Sequence, residues 1–371
     1  MFAPLTLAAM FMTLGAFDGM LGVAWPTMAE QMNRSIGDLG ILLGVYLACS
    51  MVGSLSADRI MQRLGLKPAM VAASVIVVLG ALLVAVAPDW TLLLAAIVIR
   101  GLGNGVIQVC LNTYAGKTLN NRRLMMVHSA WGAGATLAAM SMTYLVTQDL
   151  PWQWNLAWCV LPAVVAISLY SRLPQVELER RKQTALPMRR LDWMAVAAAG
   201  TYVAVEASVG NWAFTLMTQG WQSSEVLAGS ITSSFWALLT LCRLGLSLLP
   251  VSAGRWLRIM PIGLMLSPLL IGVGIWTPLL GMAGVILAGV CSSVMFPNII
   301  NRGITNADPQ NHGKVTGYML TTAAAGGAGG PALMGVIAGA GALLWIPLPI
   351  FLIGIGAAYS ARAIATKSSI H

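Results

Sequence analysis

Three ionisable residues sit inside apolar runs where a charge is expensive: Asp18, Arg100 and Glu206. An acid or guanidinium surrounded by hydrocarbon must be paired, wetted or functional. A carboxylate in that setting can take up and release a proton. A guanidinium can hold a carboxylate or a solute oxygen in two-point fashion. Arg100 also heads a row. Arg100, Asn104, Gln108 and Asn112 recur every four residues in VIRGLGNGVIQVCLN, so one side of a helix there is polar for about three turns. Lipid cannot face such a stripe. It must meet other helices or line a watery cavity, and amides at this spacing serve equally as glue between helices. His128 and Trp131, then Asn211, Trp212 and Trp236, add hydrogen-bonding and aromatic groups of the kind that bind a neutral polyol. Belt or packing roles compete for each tryptophan, with Trp25, Trp212 and Trp221 near span ends. His128 lies near a span end, where a gate role competes with binding.

The elements that must position these residues follow from composition. The chain has 371 residues, of which 58% are hydrophobic and 9% charged. Mean hydropathy is +0.79. Soluble domains carry about 25% charged residues, so this chain reads as an integral membrane protein. Twelve apolar segments are each long enough to cross a bilayer core: 3–26, 36–57, 68–87, 91–113, 124–147, 152–172, 192–217, 226–249, 256–276, 278–301, 314–338 and 342–363. The weakest divisions are the WTP at Trp276 to Pro278 and the glycine-rich bend before residue 342. No cleavable leader is expected, so the first run stays as a span.

Basic residues alternate with the loops. Arg59, Arg63 and Lys67, then Lys117, Arg122 and Arg123, then the run from Arg172 to Arg190, fall on one side, as do Arg255, Arg302, Lys314, Arg362 and Lys367. Only Arg34 and Arg100 depart from that side. Positive-inside bias then places both termini in the cytoplasm, which twelve spans permit. The formal net charge of +9 is explained in this way, without nucleic acid as a partner. The five cysteines are scattered through apolar runs and suit neither metal nor disulfide. No Walker loop, zinc motif or Ser/His/Asp set appears, so no enzyme, metal centre or cofactor is expected.

The polar stretch from Ser171 to Asp192 divides the chain into a bundle of residues 1–173, a linker of 174–191 and a bundle of 192–371. The halves echo each other at an offset near 188. Asp18, Gly22 and Trp25 correspond to Glu206, Gly210 and Trp212; Asn112 corresponds to Asn301; WGAGA at Trp131 corresponds to AGGAGGP at Ala325. A duplicated six-span unit with a site near its midplane is a transporter design. Asp18 lies roughly 6 Å, and Arg100 roughly 3 Å, to the outer side of the midpoint of its span, taking 1.5 Å per residue. At such similar depths they are expected to pair. Coupling and a static structural pair are both open readings, and Glu206 has no basic partner evident from the sequence.

Longer motifs then resemble a known family, the major facilitator superfamily of secondary transporters. SLSADRIMQRLG, Ser54 to Gly65, is similar to its signature loop after span two, with Asp58, Arg59 and Arg63 in place and Ser54 and Met61 where glycines are usual. The resemblance implies an inward gate loop at these residues. GLGNGVIQVCLN, VHSAWGAGA, YVAVEASVGNW, CRLGLSLL and GVCSSVMFPNII resemble the fucose permease and sodium-dependent glucose transporter branch. That branch implies an all-α fold of twelve transmembrane helices in two pseudo-symmetric six-helix bundles. It also implies uptake of a sugar or related small polar solute with protons or alternatively sodium; a monomer working by alternating access is expected, and the short loops favour a bacterial inner membrane. Asp18, Glu206 and Arg100 would couple. Asn104, Gln108, Asn112, His128, Trp131, Asn211, Trp212 and Trp236 would bind solute. Drug-exporting antiporters of the superfamily carry a glycine–proline signature in span five; here no proline follows WGAGA until Pro151, which points away from drug export. The rival readings are an exporter of amphipathic compounds, which 22 methionines would suit, an organic-anion symporter anchored on Arg100, and a non-transporting sensor or scaffold.

Overall fold

The computed structural model describes residues 2–119, 121–176, 186–246, 249 and 251–365, and within them not the side chains of 2, 121, 122, 124, 125 and 313. Lys367 and most of the expected linker, with Arg180, Arg181 and Lys182, lie outside the described residues, as does the Arg122 side chain. Twelve helices appear: α1 (Phe2–Gln31), α2 (Asp38–Leu64), α3 (Leu66–Val86), α4 (Trp90–Thr118), α5 (Asn121–Thr147), α6 (Ala157–Leu169), α7 (Arg190–Thr215), α8 (Glu225–Leu246), α9 (Ala253–Val273), α10 (Pro278–Asn306), α11 (His312–Gly339) and α12 (Pro347–Ala363). Ten of them are long and apolar enough to cross a membrane. The other two are α5, with His128, Ser129 and two glycines, and α7, with Asp192, Glu206 and Asn211. Their polar content lowers the hydropathy of these helices.

Helix ends depart from the apolar runs in both directions, with α6 stopping at Leu169 and α8 at Leu246, short of their expected ends. α2 continues seven residues past its expected end, and α4 and α10 five each. Hydropathy marks where hydrocarbon stops, whereas a helix stops where backbone bonding or a cap ends it. Asp89 caps α4 by accepting from Leu92 N at 2.9 Å. Asp192 accepts from Arg189 N at 2.7 Å and opens α7. The WTP boundary is real, with Thr277 flanking α10 and Pro278 in its first turn. Pro331 does not break α11, which runs unbroken to Gly339.

The extension of α2 corrects one expectation. Asp58, Arg59 and Arg63 stand on the last two turns of that helix rather than in a loop, and Asp58 accepts from Gln62 at 2.7 Å on the same helix. The reversal to α3 is Gly65 alone, whose φ of +87° is open to glycine at little cost.

The chain forms two compact units, Met1–Arg180 and Arg181–His371. Inside the first, α1 packs on α5 and α6, α4 packs on α2 and α3, and α3 touches α6. Inside the second, α7 packs on α11 and α12, α10 packs on α8 and α9, and α9 touches α12. Shifting each helix of the first unit by six in chain order reproduces these pairings in the second. The two bundles are therefore pseudo-symmetric in their packing.

Small residues set the tightest pairings. A Cβ built on Gly15 of α1 would overlap the Trp131 carbonyl of α5, and one on Gly326 of α11 would overlap the Gly200 carbonyl of α7. Without a hydrophobic force between helices in lipid, such backbone approach is what holds them. Gly15→Val should cost well above the usual 1–3 kcal/mol of overpacking, because backbone rather than a flexible side chain must move. Gly317→Ala, in open space on α11, should be neutral or gain up to about 1 kcal/mol. Thermal unfolding in detergent, followed by monodisperse elution, reads both outcomes.

Candidate functional site

In the N-terminal unit the polar groups converge around Arg100. Gly80 of α3 lies so close that a Cβ there would come within 2.6 Å of the Arg100 Cβ. That approach lets the guanidinium reach sideways, and Nη1 donates to the Val77 carbonyl of α3 at 3.0 Å. The ring of Phe17 on α1 covers the guanidinium carbon at 3.9 Å, a cation–π contact. Tyr46 of α2 lies beside it. Arg100 is fully buried, and its Nε and Nη2 find no acceptor in hydrogen-bond geometry among the described residues.

Asp18 follows Phe17 near the middle of α1 and is half-buried. It feels the charge of Arg100 and shares a side-chain hydrogen bond with Trp131 of α5. The two charges do not form an ion pair, unlike Arg34 with Asp38 and Arg189 with Asp192. The expected carboxylate–guanidinium pair is thus corrected to two charges in each other's field. Arg100 turns to a helix carbonyl and an aromatic face instead, and the indole takes the carboxylate.

The rest of the Arg100 row divides. Asn104 is buried and donates to Ser50 Oγ of α2 at 2.9 Å, while its Oδ1 is buried without a partner. Half of this amide is helix glue. Asn112 bonds back to the Gln108 carbonyl at 2.8 Å, and both residues are half-buried. His128 of α5 is half-buried, with its ring 4.6 Å from that of Phe11.

In the C-terminal unit Glu206 of α7 is half-buried and lies in the field of Arg243 from α8. Arg243 Nε donates to the Ser293 carbonyl of α10 at 2.8 Å. Each bundle therefore holds an acid on its first helix near an arginine that leans on a neighbouring helix's carbonyl. Asn211 is buried, bonded back to the Ala207 carbonyl at 2.9 Å, with Oδ1 unpartnered. Trp236 is buried against Gly210 and stands edge-on to Phe235 at 4.9 Å.

Trp212, expected to bind solute, packs inside its bundle. It is fully buried, and its indole donates to the Pro331 carbonyl of α11 at 3.1 Å, so it clamps two helices. The belt alternative fails for the same group. Trp25 is fully buried and bonded to the Ile36 carbonyl at 2.7 Å, and Trp221 is wedged against Gly274 and Gly281. Trp154, Trp193, Trp276 and Trp345 are the exposed ones. Sequence reasoning missed Phe17 and Tyr46, which look like ordinary apolar residues, and it gave Arg243 no role. The signal for Arg243 was present, since a basic residue inside a span needs an acid and Glu206 lacked a base.

A family model described as Major Facilitator Superfamily matches residues 7–331. The chain belongs to that superfamily. It is a membrane transporter and not an enzyme. Solved structures of the same fold include a D-xylose–proton symporter, with TM-score 0.77, 12% identity, and 99% of this chain and 98% of that one covered. They include the nucleoside transporter NupG at 0.70, 14%, 98% and 99%, and the E. coli fucose:proton symporter FucP at 0.69, 16%, 98% and 98%. At such identities the likeness is one of fold. Among curated proteins, the multidrug resistance protein MdtL of Citrobacter koseri is 29% identical over 152 residues, 40% of this chain and 39% of that protein. MdtL of Escherichia fergusonii matches at 29% over 153 residues, with the same coverage. The chain thus spans about two fifths of the length of these relatives, a likeness that the missing glycine–proline signature did not suggest.

Two substitutions separate site from scaffold. Arg100→Met removes a buried charge with two unmet donors, so stability should stay within about 1 kcal/mol or rise, while transport is lost. Trp212→Phe should cost about 1–2 kcal/mol for the unmet carbonyl and lost bond, while transport persists. Unfolding midpoints and uptake in proteoliposomes, measured side by side, check both.

Proposed function

We propose that this transporter moves a small polar solute, a sugar or related compound, by proton-coupled symport with alternating access. The observation that carries the reading is the Asp18 carboxylate. It is half-buried at mid-helix, bonded to Trp131, near Arg100 but not locked to it. An acid held in this way can be protonated without breaking a salt bridge, and the change in charge is felt by a guanidinium that has two unused donors. A solute hydroxyl or carboxylate satisfies those donors. Asn104 Oδ1 and Asn211 Oδ1 are unmet buried acceptors of the kind that hydroxyl groups fill. Glu206 with Arg243 repeats the arrangement in the other bundle and is proposed as the second coupling group, with sodium as the alternative ion. Gln108, Asn112, His128, Trp131 and Trp236 stay in the proposed solute set, and Asp58, Arg59 and Arg63 at the end of α2 are proposed as the inward gate. The proposed setting is a monomer in a bacterial inner membrane with both termini cytoplasmic, following the side on which the basic residues gather.

Export of amphipathic compounds is the second reading, favoured by the 29% identity to MdtL. The two readings differ in what the protein binds and in the direction of net flow.

A thermal-shift screen of sugars, organic acids and drugs finds the solute; flux in proteoliposomes then decides. Uptake of a sugar that rises as the outer pH is lowered, and that Asp18→Asn reduces at least 10-fold while leaving solute counterflow, is the expected result. Stabilisation by lipophilic cations with none by sugars would move the assignment to export. Counterflow lost together with uptake in Asp18→Asn would make Asp18 a binding or structural residue instead.

A further inference from the structure

An open groove of about 430 Å³ lies on the C-terminal unit between α7, α11 and α12. Val196, Gly200, Ala204, Gly326, Gly329 and Leu333 are among its lining residues. On α7 the stripe 190, 193, 197, 201, 204 follows the 3–4 spacing of one helix face, and on α11 so does 314, 318, 322, 326, 329, 333. The groove occupies the later members of each stripe. Their first members are Arg190 and Trp193 on α7, and Lys314 and Tyr318 on α11. Tyr359, toward the end of α12, completes a cluster at the same end of the groove.

This cluster is charged, aromatic and accessible. Trp193 is 50% exposed, Tyr318 43% and Tyr359 61%. The Trp193 and Tyr318 rings lie 5.7 Å apart, and Arg190 Nη2 donates to the Tyr359 hydroxyl at 3.5 Å. Lys314 Nζ donates to the Leu186 carbonyl at 3.3 Å. Both acceptors are neutral, and neither cation forms an ion pair among the described residues. Two positive charges without an ion-pair partner among the described residues therefore stand at the mouth of an apolar trough. From Thr322 to Leu333 the trough runs about 16 Å along α11, close to the roughly 15 Å that one leaflet contributes to a hydrocarbon core.

From this juxtaposition we infer that the groove is a binding site for one anionic phospholipid. Its phosphate sits between Arg190 and Lys314, its glycerol region lies against the Trp193–Tyr318 pair, and one acyl chain lies along Gly326, Gly329 and Leu333. An aromatic belt would hold any lipid at this depth. The two cations add a preference for negative headgroups, which basic residues beside a span recognise.

Native mass spectrometry of the purified full chain, titrated with phosphatidylglycerol or phosphatidylcholine, tests this. One phosphatidylglycerol should bind at least 5-fold more tightly than phosphatidylcholine. Arg190→Ala with Lys314→Ala should erase the preference; both side chains lie outside the core, so the fold is kept. Gly329→Leu projects into open space and fills the trough, and should weaken both lipids about 5-fold without changing the unfolding midpoint. Equal binding of the two lipids, an unchanged preference in the charge variant, or displacement by glycerol phosphate as effective as by the lipid would overturn the site. A dimer that Gly329→Leu abolishes would assign the groove to a second copy of the chain and overturn it equally.

Discussion

A guanidinium among apolar helices, with only one of its hydrogen-bonding nitrogens satisfied by a carbonyl, is the constraint around which the N-terminal bundle is arranged. Arg100 needs a carbonyl, an aromatic face and a nearby negative charge, and two other helices supply them. Val77 comes from α3; Phe17 and Asp18 come from α1. Bringing three helices to one side chain demands that their backbones nearly touch. Gly80 against Arg100 and Gly15 against Trp131 are the places where they do. The small residues and the charged residues therefore belong to one design: close packing is what makes the buried charge tolerable.

The second bundle solves the same problem with different residues. Its arginine comes from the second helix of the bundle rather than the fourth, and leans on a carbonyl of α10 rather than of the third helix. The acid keeps its place on the first helix. The main inter-helix pairings are shared, while the polar groups are shared only in kind.

Much of this was legible in advance. The twelve helices, their division into halves and the superfamily followed from hydropathy, from the alternation of basic loops and from SLSADRIMQRLG, because these signals are local or summed over long windows. Helix ends were less legible, since charges mark the edge of hydrocarbon and α2, α4 and α10 continue past it. Tryptophan roles stayed open between belt, packing and binding, because position along a helix does not say which way an indole points. Trp25 and Trp212 turned inward to backbone carbonyls.

By itself the sequence determined that acids and arginines had to lie within apolar helices and that two similar bundles had to hold them. Composition and periodicity dictate that much, since hydrocarbon admits only helices whose backbone bonds are internal. The tertiary structure decided the partners. Asp18 meets Trp131 and the field of Arg100 instead of closing an ion pair, and Glu206 gains Arg243. A partner on another helix depends on rotation and backbone separation, which are set by glycine contacts far apart in the chain and by no local pattern.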